Sequence, residues 1–183
     1  MRKAFILHGT DGHPESNWFM WLKDKLENAG YEVQVPLLPD NHTPNRKTYN
    51  DYLFGLGYDL TNSLLIGHSS GAVSVLNLLE DERCPSIDKA VLVGVWYTCE
   101  GTVLNPEQFK KLFPKNGFNF ELIRSKVNST LIIHGDDDPY CPLDQAKLIA
   151  EKLKSKVSII KGGGHLGSTR NPDFPELKEL LNL

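Results

Sequence analysis

Residues 63–79, SLLIGHSSGAVSVLNLL, decide the fold that this sequence predicts. Residues 63–66 are typical of a short buried strand, and the apolar spacing over residues 70–79 predicts a helix that follows at once. The junction between them, GHSSG at residues 67–71, fits the pattern G-x-S-x-G. In a strand-turn-helix context this pattern predicts a sharp turn that holds the central serine above the edge of a sheet.

Ser69, at the centre of this motif, is therefore the candidate nucleophile. The glycines at either end of the turn let the neighbouring backbone approach closely, so the serine can be held in a strained conformation. The backbone N–H of Ser70, at the start of the helix, is then expected to point toward an oxyanion. Two alternatives are an ordinary glycine-serine turn and Ser70 as the reactive serine, although Ser70 lies one position away from the centre of the motif.

A serine hydroxyl is a weak nucleophile at neutral pH and needs a base, which in turn needs an orienting acid. His165 ends the segment GGGH at residues 162–165, just beyond a predicted strand. A glycine-rich loop in this position lets a side chain reach a serine on another loop, whereas the alternative is a histidine that only faces solvent. We predict that His165 is the base.

The acid is expected from HGDDDP at residues 134–139, after the fifth predicted strand. The resulting order along the chain, Ser then Asp then His, is typical of α/β-hydrolases. Asp138 is the preferred candidate because Pro139 restricts the backbone beside it, and Asp136 and Asp137 are the alternatives. The three aspartates lack the alternating acids, central glycine and distal glutamate of a calcium-binding EF-hand loop.

His8 and Gly9 follow the first predicted strand. A His-Gly pair in this position leaves the next backbone N–H, that of Thr10, free to point at the nucleophile. We therefore predict an oxyanion hole formed by the N–H groups of Thr10 and Ser70. The alternative is a simple turn that contains two glycines.

Strands and helices alternate along the whole chain, which predicts one α/β domain over residues 1–183 with a mainly parallel sheet, helices on both faces and no large cap. The predicted strands lie at residues 4–7, 31–35, 63–66, 89–93, 130–133 and 157–160. The predicted helices lie at residues 16–29, 45–56, 70–79, 143–153 and 174–181, with two short ones near 106–113 and 119–126.

The composition argues against nucleic-acid binding, a disulfide framework, a cysteine zinc site and membrane association. The 183 residues include 20 Lys and Arg against 23 Asp and Glu, a net charge of −3, whereas nucleic-acid binding needs a concentrated basic surface. The odd set of Cys84, Cys99 and Cys141 predicts neither a disulfide framework nor a CxxC zinc site. No apolar stretch reaches the roughly 20 residues of a membrane span and no signal peptide is indicated, so we expect a cytoplasmic protein without a membrane partner.

The stretch from residue 96 to 129 contains no predicted strand and is rich in aromatic residues, which favours a modest apolar pocket. Trp96, Tyr97 and Trp18 are the candidates for its wall, while Cys99 and Cys141 lie outside any elbow and are weak rivals of Ser69 as nucleophile. No phosphate-binding P-loop occurs. We expect a small acyl substrate, no cofactor and no metal site.

The full length of the chain resembles the small, cap-less serine hydrolases grouped with YdeN and retinoblastoma-binding protein nine. Beyond motifs shared by many α/β-hydrolases, the match rests on Asn-Trp-x-x-Trp-Leu at residues 17–22 and Pro-Leu-Leu-Pro at residues 36–39. The resemblance implies a triad of Ser69, Asp138 and His165, a presumed esterase activity, and an aminopeptidase-like activity in the mammalian relative. The L-x-C-x-E segment through which that relative binds retinoblastoma protein is absent here, so this binding role is not expected.

These residues together predict a serine hydrolase that cleaves small esters, or aminoacyl and peptide-like substrates, through an acyl-enzyme. Carboxylesterase-like chemistry is the first expectation, and thioesterase or aminopeptidase activity stays open because the same triad serves all of them. The alternative is a non-catalytic protein-interaction module that retains the hydrolase fold. The presence of both Ser69 and His165 favours catalysis over that alternative.

Overall fold

The computed structural model describes residues 2–183 and contains a six-stranded sheet in which all neighbouring strands are parallel. The strands are β1 (Arg2–Leu7), β2 (Tyr31–Gln34), β3 (Leu64–His68), β4 (Ile87–Val93), β5 (Val127–Gly135) and β6 (Val157–Ile160). Their order across the sheet is β2-β1-β3-β4-β5-β6. The predicted α/β class with a six-stranded parallel sheet is confirmed.

Helices cover both faces of this sheet. They are α1 (Phe19–Asn28), α2 (Arg46–Gly55), α3 (Ser70–Glu80), α4 (Pro106–Phe109), α5 (Phe120–Lys126), α6 (Leu143–Leu153) and α7 (Pro175–Leu181). One hydrophobic core contains buried residues of α1 and α7, and the other contains those of α2, α3, α5 and α6. Between β4 and β5 the described chain carries only the short helices α4 and α5, which agrees with the absence of a large cap.

Several element boundaries differ from the sequence prediction, and two of the differences have identifiable reasons. Strand β5 starts at Val127 rather than at residue 130, because Val127 and Ser129 still pair with β4 although this end of the strand is partly exposed. Helix α1 starts at Phe19 rather than at residue 16, because Asn17 has a φ of 53°, which lies outside the right-handed helical region.

Because the strands are parallel, all their carboxyl ends lie at the same edge of the sheet. The loops after β1, β3, β4, β5 and β6 meet at this edge, and they carry every candidate residue of the predicted site. Over residues 2–183, no helix has both the length and the apolar character needed to cross a membrane.

Candidate active site

The elbow, residues 67–71, holds Ser69 in a conformation that non-glycine residues rarely adopt. Ser69 has φ 57° and ψ −127°, and its N–H donates to the carbonyl of Val93 at 2.9 Å. A side chain at Gly67 would lie 2.3 Å from the carbonyl oxygen of Gly71, and one at Gly71 would lie 2.3 Å from that of Leu7. Both glycines are therefore required because backbone from neighbouring elements fills the space beside them.

The side chains of Ser69, His165 and Asp138 form a continuous hydrogen-bonded chain. The Nε2 atom of His165 lies 2.9 Å from the Oγ of Ser69, and its Nδ1 lies 2.7 Å from the Oδ2 of Asp138. Since a carboxylate can only accept, Nδ1 carries the proton and Nε2 is left to accept from the serine hydroxyl. The Asp138 side chain is only 1% exposed and that of His165 is 17% exposed, so the arrangement is largely shielded from water.

Asp138 is held as an ionised carboxylate by the backbone around it. Its Oδ1 accepts the N–H groups of Tyr140 at 2.9 Å and Cys141 at 3.0 Å. Burial raises the pKa of the Asp138 carboxyl, but the interaction with His165 and these two backbone donors together lower it by more, so the pKa lies below its usual value. The charge that would stabilise a protonated His165 is therefore present at neutral pH.

The other two aspartates have different partners from Asp138. Asp136 accepts the N–H of Gly162 through its Oδ1 at 2.7 Å, and Asp137 accepts the N–H of Gly164 in the same way at 2.7 Å. The aspartate loop, residues 136–138, thus contacts the histidine loop, residues 161–167, at three points. Of the three carboxylates considered from the sequence, the structure places only that of Asp138 against the imidazole of His165.

Two further residues position the backbone of the histidine loop. The Nε2 of His68 donates to the carbonyl of His165 at 2.9 Å, and the indole N–H of Trp18 donates to the carbonyl of Leu166 at 2.7 Å. Burial, and then the nearby charge of His165, lower the pKa of His68 to about 3, so this side chain stays neutral. His68 occupies a variable position of the G-x-S-x-G motif, and nothing in the motif indicates this partner.

The loop after β1 packs directly on the nucleophile. A side chain at Gly9 would lie 2.9 Å from the Cβ of Ser69, so the loop can approach this closely only with glycine there. Within residues 2–183, the backbone N–H groups of Thr10 and Ser70 have no hydrogen-bond acceptor. The hydroxyl of Thr10 donates to the Oγ of Ser70 at 2.9 Å, which links the two loops that carry these free donors.

The buried side chain of His8 holds the loop after β1 in place through two hydrogen bonds. Its Nδ1 donates to the carbonyl of Gly9 at 2.8 Å, and its Nε2 accepts the N–H of Leu38 at 2.9 Å. Burial lowers the pKa of His8, which agrees with a neutral ring that makes one bond as donor and one as acceptor. The buried histidine thereby connects the Pro-Leu-Leu-Pro segment to the loop of Thr10.

Two of the three residues predicted for the pocket wall lie in the hydrophobic core instead. Trp18 is 0% exposed and Trp96 is 1% exposed, and both belong to the hydrophobic core, so neither indole is available at the surface beside Ser69. Tyr97 is half-buried, and its N–H donates to the side chain of Gln145 at 3.0 Å. Tyr140, which the sequence did not single out, is 48% exposed and lies edge-on to the ring of His165 at 5.2 Å between centroids.

The cysteines offer no competing nucleophile in an elbow. All three are free thiols, and burial raises the pKa of Cys99 and of Cys141, which disfavours the reactive thiolate. Cys84 is also buried, with its pKa raised to about 11.

Residues 4–182 match the protein family described as serine hydrolase. Among known relatives, the chain is 24% identical to YdeN of Bacillus subtilis over 166 residues, which cover 90% of this chain and 85% of YdeN. It is 23% identical to the serine hydrolase RBBP9 of Rattus norvegicus over 178 residues, covering 96% of this chain and 91% of the relative. The resemblance noted in the sequence is confirmed.

Solved structures show the same fold. The ydeN gene product from B. subtilis has a TM-score of 0.89 at 20% identity, covering 100% of this chain and 97% of that one. Est1E from Butyrivibrio proteoclasticus has a TM-score of 0.71 at 15% identity, covering 98% of this chain and 85% of that one. At such low identities the likeness establishes the α/β-hydrolase fold and leaves the substrate to other arguments.

Proposed function

Because this chain belongs to the serine hydrolase family, we propose that it cleaves small esters through an acyl-enzyme formed on Ser69. The observation that carries the proposal is the chain of contacts from the Ser69 hydroxyl through His165 to Asp138, at 2.9 and 2.7 Å. These distances lie within the range in which a base can take the proton of a nucleophile. The elbow presents the same hydroxyl at the edge of the sheet.

In the first half of the reaction, the Oγ of Ser69 attacks the carbonyl carbon and its proton passes to the Nε2 of His165. The tetrahedral intermediate collapses when this proton is delivered to the leaving group. In the second half, water attacks the acyl-enzyme and gives a proton to the same nitrogen. Asp138 holds the proton on Nδ1 throughout and stabilises the imidazolium that forms in each half.

The negative charge on the substrate oxygen needs donors that are in place before the reaction starts. The N–H groups of Thr10 and Ser70 supply them, since both lie beside Ser69 and neither is used elsewhere in residues 2–183. Removal of one such donor typically costs about 10²- to 10³-fold in turnover.

The segments that border the site favour one class of substrate. Only short helices lie between β4 and β5 in the described chain, and the half-exposed Tyr140 ring borders His165. An open site of this kind suits small acyl groups better than long lipids. The family relationship extends the proposal to aminoacyl, peptide-like and thioester substrates. We propose a carboxylesterase-like enzyme that acts in the cytoplasm and needs no cofactor.

The decisive experiment is labelling with a fluorophosphonate probe, followed by peptide mass mapping of the adduct. We expect an adduct on Ser69 in the unaltered protein and none in the Ser69→Ala variant. Ser129→Ala, which removes a hydroxyl at the opposite end of the sheet, serves as the matched control and should be labelled normally. A folded protein that takes no label would instead support the non-catalytic interaction module, whereas labelling justifies a screen of p-nitrophenyl esters and aminoacyl amides.

A further inference from the structure

The carboxylate of Asp138 is surrounded by more ligand-type atoms than the proposed hydrolysis uses. An oxygen of Asp138, the Sγ of Cys141 and a ring nitrogen of His165 all lie within 4.8 Å of one another. The Nε2 of His134 lies 3.7 Å from Oδ2 of the same carboxylate. The side chain of His134 is 0% exposed and Cys141 is 1% exposed.

His134 contributes a buried nitrogen that lacks a partner. Its Nδ1 lies 2.9 Å from the carbonyl of Gly135 and therefore carries the proton. The lone pair of its Nε2 then faces Oδ2 of Asp138, which is also an acceptor, and within residues 2–183 this nitrogen makes no hydrogen bond. A buried acceptor left unsatisfied beside a carboxylate is unfavourable, and a cation between the two atoms would satisfy both.

We propose that Asp138, Cys141 and His165, with His134 beside them, form an inhibitory site for a divalent cation of the zinc type. Imidazole nitrogen, thiolate sulfur and carboxylate oxygen are the donors that Zn²⁺ takes, at about 2.0 to 2.3 Å. Magnesium and calcium take oxygen ligands almost exclusively, so the sulfur of Cys141 selects against them. The site is formed by the loops after β5 and β6 and by the end of β5, and no spacing of residues along the sequence predicts it.

Binding would change the protonation of the residues around the cation in a defined way. For Nδ1 of His165 to donate its lone pair to the metal, the proton between Nδ1 and Asp138 moves to Nε2, and the thiol of Cys141 releases its proton to solvent. One proton is thus released for each cation bound. A protonated Nε2 can no longer accept the proton of Ser69, so the cation-bound protein should be inactive as a hydrolase. This loss of activity rests on the proposed function, whereas cation binding does not.

The first test measures inhibition of p-nitrophenyl acetate hydrolysis by ZnCl₂, with reversal by EDTA. Cys141→Ser should lower the sensitivity to zinc by at least about tenfold. Cys84→Ser is the matched control, because it removes an equally buried free thiol elsewhere in the core, and it should be inhibited like the unaltered protein. Wild-type sensitivity in Cys141→Ser would overturn the proposal.

The second test measures binding of Co²⁺ by absorption and needs no activity. In the Ser69→Ala variant, which retains the whole site, Co²⁺ should produce a thiolate-to-metal charge-transfer band that is lost in the Ser69→Ala, Cys141→Ser double variant. A band in the Ser69→Ala variant, together with an unaltered protein that hydrolyses no ester, would refute the proposed function and leave the cation site standing. The absence of the band in folded protein would refute the cation site, whatever the hydrolase assay shows.

Discussion

The elbow and the pair of loops that face it hold their reactive side chains by different means. In the elbow, Ser69 is fixed by backbone contacts so close that a single methyl group at Gly67 or Gly71 has no room. In the aspartate and histidine loops, position is set by hydrogen bonds that two backbone N–H groups and one imidazole donate to three carboxylates.

Substitutions in the two regions should therefore have different effects. A steric constraint fails abruptly, because close-packed backbone cannot give way by a small amount. A set of hydrogen bonds on partly exposed loops fails gradually, because water can replace a lost partner. The exception is the bond between Asp138 and His165, since it is buried and takes part in the proposed chemistry.

The largest effect is expected for Asp138→Asn. The amide cannot hold the proton on Nδ1 as a carboxylate does, so turnover of a p-nitrophenyl ester should fall by about 10⁴-fold while the fold is retained. Circular dichroism and steady-state kinetics check both parts. Asp88→Asn, an exposed aspartate at the other end of the sheet, is the control with the same change of charge. Near-normal turnover in Asp138→Asn would return the role of the acid to Asp136 or Asp137.

Gly71→Ala tests whether the elbow is too closely packed to accept a side chain. The added Cβ would lie 2.3 Å from the carbonyl oxygen of Leu7, a backbone atom that cannot rotate away. We expect a loss of about 3 kcal/mol or more in the free energy of unfolding, measured by urea denaturation, together with loss of labelling at Ser69. Gly55→Ala in α2, where a Cβ meets nothing within 4 Å, should be neutral or slightly stabilising. Equal stability of both variants would contradict a close-packed elbow.

Each region also buries a histidine, His68 in the elbow and His134 before the aspartate loop. Burial lowers the pKa of both below the ordinary value of about 6.5, in His68 to about 3. Below about pH 6.5 the unfolded chain therefore binds protons that the folded chain does not, and the free energy of unfolding falls by up to about 1.4 kcal/mol per pH unit for each such histidine.

Urea denaturation at pH 7.5, 6 and 5 measures this slope. Stability should be nearly constant between about pH 7 and 8 and should decline steadily as the pH falls below this range. The variant His68→Gln should show a shallower decline than His42→Gln, which alters an exposed histidine. Identical slopes in these two variants would mean that His68 is protonated in the folded protein.

The smallest effect is expected for Asp137→Ala, which removes the acceptor of the Gly164 N–H. Water can reach this exposed position, so the loss of order in the histidine loop should cost about 1 kcal/mol. That corresponds to about a fivefold lower kcat/KM. The pH profile of kcat/KM should keep its shape, because the pair of Asp138 and His165 is unchanged. A collapse as deep as that of Asp138→Asn would show that the three carboxylates act as one unit.

Most of the architecture was predictable because buried parallel strands and amphipathic helices have distinct apolar periods. The spacing over residues 143–153 and 157–160 coincides with α6 and β6 residue for residue. The prediction of this boundary failed because a residue can pair with a neighbouring strand without being apolar, as the exposed Ser129 of β5 does with β4.

The placement of aromatic side chains was less predictable. Trp18 and Trp96 occur in segments that suggest a pocket wall, yet both are buried. An indole can satisfy its N–H inside a core, as Trp18 does on the carbonyl of Leu166, so aromatic character alone does not distinguish a core position from a pocket position.

The fold class and the serine, histidine and aspartate types of the candidate site could be predicted from the amino-acid sequence, because motif, strand and helix lie next to one another along the chain. Three-dimensional packing shows which of the three aspartates meets His165, and that His68 and Trp18 hold the backbone of the histidine loop. The approach of the unpartnered Nε2 of His134 to Asp138 was likewise invisible in the sequence. Such contacts join residues from separate strands and loops, and their distances depend on how the whole sheet twists and packs, which no local pattern encodes.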